Sequence, residues 1–170
     1  MTYFAVALAR TDEGWTGREL DLGELEDLDA LADELRDLSG EGGGPALLLL
    51  EEDDEYIAVV RVDGGAGGLD EPRVFLSDRR AVEGSEVAAM LWEDTPVAEP
   101  EDDDDDDDED EGTRPIAEPV GDAALLSDLG TPADDLLDLC AEEGLLPADV
   151  LTGVADRAGF LDVLEGLREG

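Results

Sequence analysis

Apolar and polar residues follow two different periods along this chain, and each change of period marks an element. Residues 3–10 are an apolar, strand-like run, and Asp12-Glu13-Gly14 is a turn signal. Trp15 to Leu20 then reads as a second strand, paired with the first as a hairpin. From Asp21 the spacing changes. Asp21 and Glu24 have the form of a capping box, and Leu25, Leu28, Leu31, Leu35 and Leu38 follow at intervals of three and four. That pattern predicts a helix with one apolar face, ended by Gly40, with Asp and Glu on the solvent side.

Residues 41–45 form a Gly-rich loop. Ala46 to Leu50 is a continuous apolar run, which predicts a central strand, and Glu51 to Glu55 are five acids, which predict a tip or turn. Tyr56 to Val62 and Arg73 to Leu76 are strand-like, separated by a turn at 63–68. Ser85 is placed to cap a helix carrying Val87, Met90, Leu91 and Trp92. The predicted order is ββαβββα. Its fold class is α+β, a small, mainly antiparallel sheet occupying residues 1–94.

Residues 95–120 break every hydrophobic period. They carry several prolines around eleven consecutive acids: Glu101, Asp102, Asp103, Asp104, Asp105, Asp106, Asp107, Asp108, Glu109, Asp110 and Glu111. Like-charge repulsion with no apolar surface predicts a disordered linker. Residues 121–170 return to short helical patterns: 122–129 stopped by Gly130, a segment after Thr131-Pro132 with Leu136, Leu137, Leu139 and Cys140, one from Pro147, and one from Phe160 to Leu167. Fifty residues are near the lower limit for an independent core, so this small helical unit is expected to need the sheet or a partner to dock on.

Charge changes the functional picture most. The 170 residues include 50 acids against 10 basic residues, for a net charge of −40, and every basic residue is Arg. The excess is spread along the chain, at −18 for 1–97, −12 for 98–120 and −10 for 121–170. Such a field repels phosphate backbones and anionic membranes and attracts basic partners. No apolar stretch approaches the roughly 20 residues of a membrane span. The first ten residues lack the basic flank and the apolar length of a secretory signal. With one cysteine, no intrachain disulfide can form, and a cytoplasmic location is expected.

Candidate chemistry is thin. The chain has no His, which removes the commonest general base and, with one Cys, the usual zinc sites. Without Lys there is no Walker loop, and Gly64 to Gly68 has the wrong spacing for a dinucleotide fingerprint. Asp107, Glu109, Glu111, Gly112 and Glu118 match positions of a calcium loop, but Pro115 and Pro119 interrupt it and no entering helix precedes it. Carboxylate pairs are too abundant for any one to be singled out. No cofactor or metal site is therefore expected. Cys140, among leucines and beside Asp138, Glu142 and Glu143, reads as a buried small hydrophobe whose pKa the acids raise. Arg79-Arg80 reads as a pair absorbed by neighbouring acids. Trp92, just before the acidic run, is either packed under the sheet or an interface anchor.

The run 101–111 also has two readings. One is a solvated spacer. The other is mimicry of a nucleic acid: an extended chain advances about 3.3–3.6 Å per residue, close to the roughly 3.4 Å between charges on a DNA strand. Eleven residues then span up to about 36–40 Å of a basic groove.

The segments Tyr3-Phe-Ala-Val-Ala7, Trp15-Thr-Gly-Arg-Glu-Leu20, Asp27-Leu-Asp29, Leu47-Leu-Leu-Leu-Glu-Glu-Asp53, Ala58-Val-Val-Arg-Val-Asp63 and Arg73-Val-Phe-Leu-Ser-Asp78 together resemble the tRNA adenosine deaminase-associated proteins of high-GC bacteria. Leu125-Leu-Ser-Asp-Leu-Gly130 and Leu145-Leu-Pro-Ala-Asp149 are similar to that family's tail. These are structural motifs and carry no catalytic residues over. The resemblance implies an accessory protein, with the deaminase as the candidate basic partner. The expectation is a non-enzymatic adaptor whose partner-binding candidates are the acids 101–111 and Trp92. The alternative is a nucleic-acid-mimicking inhibitor of another DNA- or RNA-binding protein.

Overall fold

In the computed structural model, the described residues are 3–40, 44–52, 55–63, 72–79, 81–93, 119–142 and 146–169. They build an α+β architecture on one antiparallel sheet. Strands β1 (Tyr3–Thr11), β2 (Gly14–Glu19), β3 (Pro45–Glu52), β4 (Tyr56–Asp63), β5 (Arg73–Leu76) and β6 (Val120–Gly121) lie in the order β2-β1-β3-β4-β5-β6. Ala5, Ala7 and Ala9 of β1 face Leu50, Leu48 and Ala46 of β3 across the ladder, and Leu48 and Leu50 face Val60 and Ala58 of β4.

Successive strand side chains point to opposite faces, so a continuous apolar strand needs cover on both sides. The sheet meets this with two apolar layers. On the first face, Ala5, Ala7, Ala9, Leu48, Leu50, Ala58, Val60, Val74 and Leu76 pack with Leu28, Leu31 and Leu35 of α1 (Leu28–Ser39) and Ala88 and Leu91 of α3 (Glu86–Glu93). The alanines of β1 leave room for the leucines of α1. On the second face, Val6, Leu8, Leu47, Leu49, Ile57, Val59 and Phe75 pack with a 3-10 segment at Ala123–Leu129 and with α4 (Ala133–Ala141), α5 (Pro147–Ala158) and α6 (Leu161–Glu169). The described residues of 121–170 thus share a core with the sheet. Trp15 and Phe160 meet edge to face at 4.9 Å, and Arg168 lies over Phe4, 5.4 Å from its ring centre. Gly17 lets α6 come this close, because a Cβ there would stand 2.7 Å from Leu8 and 3.0 Å from Val163.

Several local expectations are corrected. The first helix does not begin at Asp21. Asp21 instead accepts from the Gly23 amide and caps a 3-10 turn at Leu22–Glu24, and α1 begins at Leu28, capped by Asp27 through the Ala30 amide at 2.8 Å. The Tyr3 hydroxyl accepts from the Leu22 amide and donates to Asp21, both at 3.0 Å, which pins this turn to β1. Glu51 and Glu52 belong to β3 and not to a tip, and Glu52 is buried. The short α2 (Ala81–Gly84) and the two-residue β6 were not expected. Pro132 precedes α4 as its N-cap residue, with no side-chain cap, and Thr131 is buried with its hydroxyl unpaired. Ser85 does cap α3, accepting from the Ala88 amide at 3.2 Å.

Candidate partner-binding surface

The acids 101–111 lie within 94–118, outside the described residues, and so do the calcium-loop match, Gly64 to Gly68, and Arg80. What is described is how the chain enters and leaves that stretch. It enters from α3, where Trp92 is half-buried against the first-face layer. It returns at β6, where Val120 and Gly121 pair with Leu76 and Phe75. The Asp122 amide donates to the Val74 carbonyl at 2.9 Å, and the Arg73 guanidinium donates to the Asp122 carboxylate at 2.6 Å. Asp122 also accepts from the Ala124 amide, capping the next segment. The return at β6 is therefore fastened beside β5, and the entry is held through Trp92.

Gly121 permits the return. Its φ is +97°, and a Cβ there would fall 2.1 Å from the Val74 carbonyl oxygen.

The arginines are largely spent inside the fold. Arg18 pairs with Glu34, Arg36 with Asp33, Arg73 with Asp122, Arg157 with Asp135 and Arg168 with Glu51. Arg61 is the most enclosed. Its side chain is 6% exposed, and it bonds Asp63 at 2.9 Å, the Leu125 carbonyl at 2.6 Å, and both oxygens of Asp128. This latch ties β4 to the 3-10 segment on the second face. The Asp128 hydrogen bonds raise the pKa of the Arg61 guanidinium, and the same bonds hold the Asp128 carboxyl below its ordinary range. With these cations engaged, six exposed acids of the α1 region, Asp21, Glu24, Glu26, Asp27, Asp29 and Asp37, have no arginine beside them among the described residues. They make one solvent face strongly negative.

Reactive groups are sequestered. The Tyr56 hydroxyl bonds Glu52 at 3.1 Å and Ser85 at 3.2 Å. All three residues are buried, and the serine is occupied as a helix cap, so the chain of bonds braces α3 against β3 and β4. Burial pushes the Cys140 thiol up to about 12, which keeps it protonated and poorly nucleophilic. The direction is the one expected, but its cause is desolvation and not the field of neighbouring acids. Among the described residues, no cluster of three or more His, Cys, Asp or Glu could hold a metal, and no helix is long and apolar enough to cross a membrane.

Sequence reasoning missed Glu52 and Arg61. An acid within a run of acids gives no sign of burial, and an Arg in a strand gives no sign of the aspartate 67 positions away that it will meet.

Comparison with known proteins is consistent with an accessory role. A family model described as Rv3753c-like tRNA adenosine deaminase-associated protein matches residues 3–161. Protein Rv3753c of Mycobacterium tuberculosis is 30% identical over 165 residues, covering 96% of this chain and 86% of the relative. No solved structure matches. The family description names association with a tRNA adenosine deaminase and not the deaminase itself, and the chain belongs to the Rv3753c-like tRNA adenosine deaminase-associated protein family.

Proposed function

We propose that this protein is a non-enzymatic, cytoplasmic accessory protein that binds a tRNA adenosine deaminase through its acidic surface and binds neither nucleic acid nor membrane. The carrying observation is a net charge of −40 in a chain whose family is described by association with that enzyme. An enzyme that holds tRNA presents arginine and lysine to phosphates. A polyanion steers toward the same surface and speeds encounter. The run 101–111 then competes with tRNA for that groove.

The test is titration of the purified deaminase with the full chain and with a variant lacking 101–111, at about 50 and 200 mM salt. The expected result is a complex that weakens with salt, displaces tRNA, and keeps most of its affinity but not its competition with tRNA when the run is removed. Absence of a complex at either salt rejects the proposal. A second reading, mimicry directed at a different nucleic-acid-binding protein, is favoured by the near match between residue rise and phosphate spacing. It predicts that the isolated run accounts for most of the binding, whereas a folded-surface adaptor keeps most of its affinity without the run.

A further inference from the structure

β2 is an outer strand of the sheet, with β1 on one side and no strand on the other among the described residues. The Leu20 amide donates to the Ala5 carbonyl at 3.0 Å, which fixes the phase of the β1–β2 ladder. Bonded pairs alternate along an antiparallel ladder, so Arg18, Thr16 and Gly14 spend their backbone groups on Ala7, Ala9 and Thr11. Trp15, Gly17 and Glu19 turn their N–H and C=O groups outward, and no described residue bonds them. At the far side of the sheet, by contrast, β6 and the Asp122 amide cover β5.

An open edge is a template for another strand, and proteins blunt it with proline, a bulge or charge. β2 has no proline, and its register with β1 is unbroken from Gly14 to Glu19. What guards it is charge. Asp12, Glu13, Glu19 and Asp21 are exposed around it, whereas Arg18 is taken by Glu34 and Arg10 stands one strand further in. This guard repels acidic chains, copies of this one at −40 included, and admits basic ones. The two faces beside the edge also differ. Trp15 and Gly17 lie on the second face, where α6 meets them through Phe160 and Val163, and Trp15 and Val163 are only partly buried. Thr16 and Arg18 lie on the first face, where Glu34 of α1 reaches Arg18.

We propose that the outer edge of β2 takes an extended, basic segment of a protein partner as a seventh, antiparallel strand, joined main chain to main chain at Trp15, Gly17 and Glu19. Residues opposite each other share a face. A β-branched residue opposite Trp15 or Gly17 therefore lies beside α6, and Arg or Lys opposite Glu19 meets its carboxylate. The main chain supplies affinity, and the acids around the edge select by charge. This pairing rests on the reading that the partner is basic, and gives that partner a surface and a conformation.

The test uses the full chain and the blocked peptide Lys-Thr-Val-Thr-Ile-Thr-Lys, with two N-methylated forms of the same charge. One is methylated at Val and Ile, whose amides face β2 in the proposed pairing, and the other at the two outer Thr, whose amides face away. Affinity is followed by fluorescence anisotropy at about 0.15 M salt, where long-range attraction is screened. The Thr-methylated peptide is expected to bind like the parent, and the Val/Ile-methylated one roughly tenfold or more weaker. The Trp15, Gly17 and Glu19 amides should gain protection from hydrogen exchange with the parent peptide. Glu19→Pro removes one outward donor where an edge strand tolerates proline, and should weaken the parent roughly tenfold with Tm close to wild type. Glu19→Gln keeps the donor and should cost less, by an amount that fades with salt. Should Glu19→Pro unfold, the methylated peptides, which leave the protein untouched, carry the same comparison. Equal affinity of the two methylated peptides overturns the proposal, as does an absence of new protection on β2, or shifts confined to the acidic face of α1. A wild-type dimer that Glu19→Pro dissolves also overturns it, by making a second copy the occupant. If the peptides behave as expected and the deaminase does not bind, the strand site stands and that partner falls. If the deaminase binds wild type and Glu19→Pro equally and leaves the β2 amides unprotected, the complex stands and the strand site falls.

Discussion

Arg61 shows how one side chain can hold two parts of a chain together. Few cations are present, and this one is placed where β4 meets the 3-10 segment, with two carboxylates and a carbonyl around it. Replacing it with Ala leaves Asp63 and Asp128 facing each other and the Leu125 carbonyl without its donor. That should cost about 3 kcal/mol by urea denaturation. Arg18→Ala, which breaks a pair with both partners more than 40% exposed, should cost less than about 1 kcal/mol. The pH dependence follows from Asp128. Its folded pKa lies below the unfolded value, so the stability it contributes is present above the ordinary carboxylate range and is lost as pH falls through the folded pKa. Stability of Asp128→Asn should lie below wild type at neutral pH and converge with it in acid, below about pH 4. Denaturation curves displaced by a constant amount at every pH would contradict this role.

At the scale of elements, what the sequence made legible was what depends on nearby residues. Arg73–Leu76 emerges as a strand with the bounds read from its apolar cluster, and Ser85 caps the helix its spacing announced. Where distant contacts decide, local signals mislead. Asp21 and Glu24 have the right spacing for a helix start, but Asp21 caps only a 3-10 turn, which the Tyr3 hydroxyl pins to β1. Strand β6 is two residues long, too short to carry any period, and a non-local pairing with β5 makes it. The acidic run was conspicuous in the sequence, whereas the fastening of the chain's return at β6 was not, because that fastening depends on Gly121. Gly121→Ala forces a side chain into positive φ and against the Val74 carbonyl. It should destabilise the protein by about 2 kcal/mol or more. The Asp122 amide, which donates to Val74, should exchange with deuterium much faster. Protection of that amide equal to wild type would mean the return beside β5 does not depend on the glycine.

For the whole molecule, the question is what the last 50 residues cover. Amphipathic helices reveal that they have an apolar face and not what that face meets, so their spacing alone could not place them. The strands held a clue. Val6 and Leu8, Leu47 and Leu49, and Ile57 and Val59 alternate with residues that are also apolar, and a sheet apolar on both faces needs two covers. With Phe75 these make seven large side chains on the second face, each 1% exposed or less. At ~1.5–3 kcal/mol each, their burial is worth on the order of 10–20 kcal/mol as an upper figure. That is as large as the whole stability of an ordinary domain, about 5–15 kcal/mol. Residues 1–93 alone should therefore lack a cooperative unfolding transition, bind a hydrophobic dye such as ANS, and associate, even though every strand but β6 is present. Calorimetry and sedimentation of that fragment beside the full chain check this. A monomeric fragment with a sharp transition would show that α1 and α3 are cover enough, and that the C-terminal helices form a separate unit resting on a sheet that does not require them.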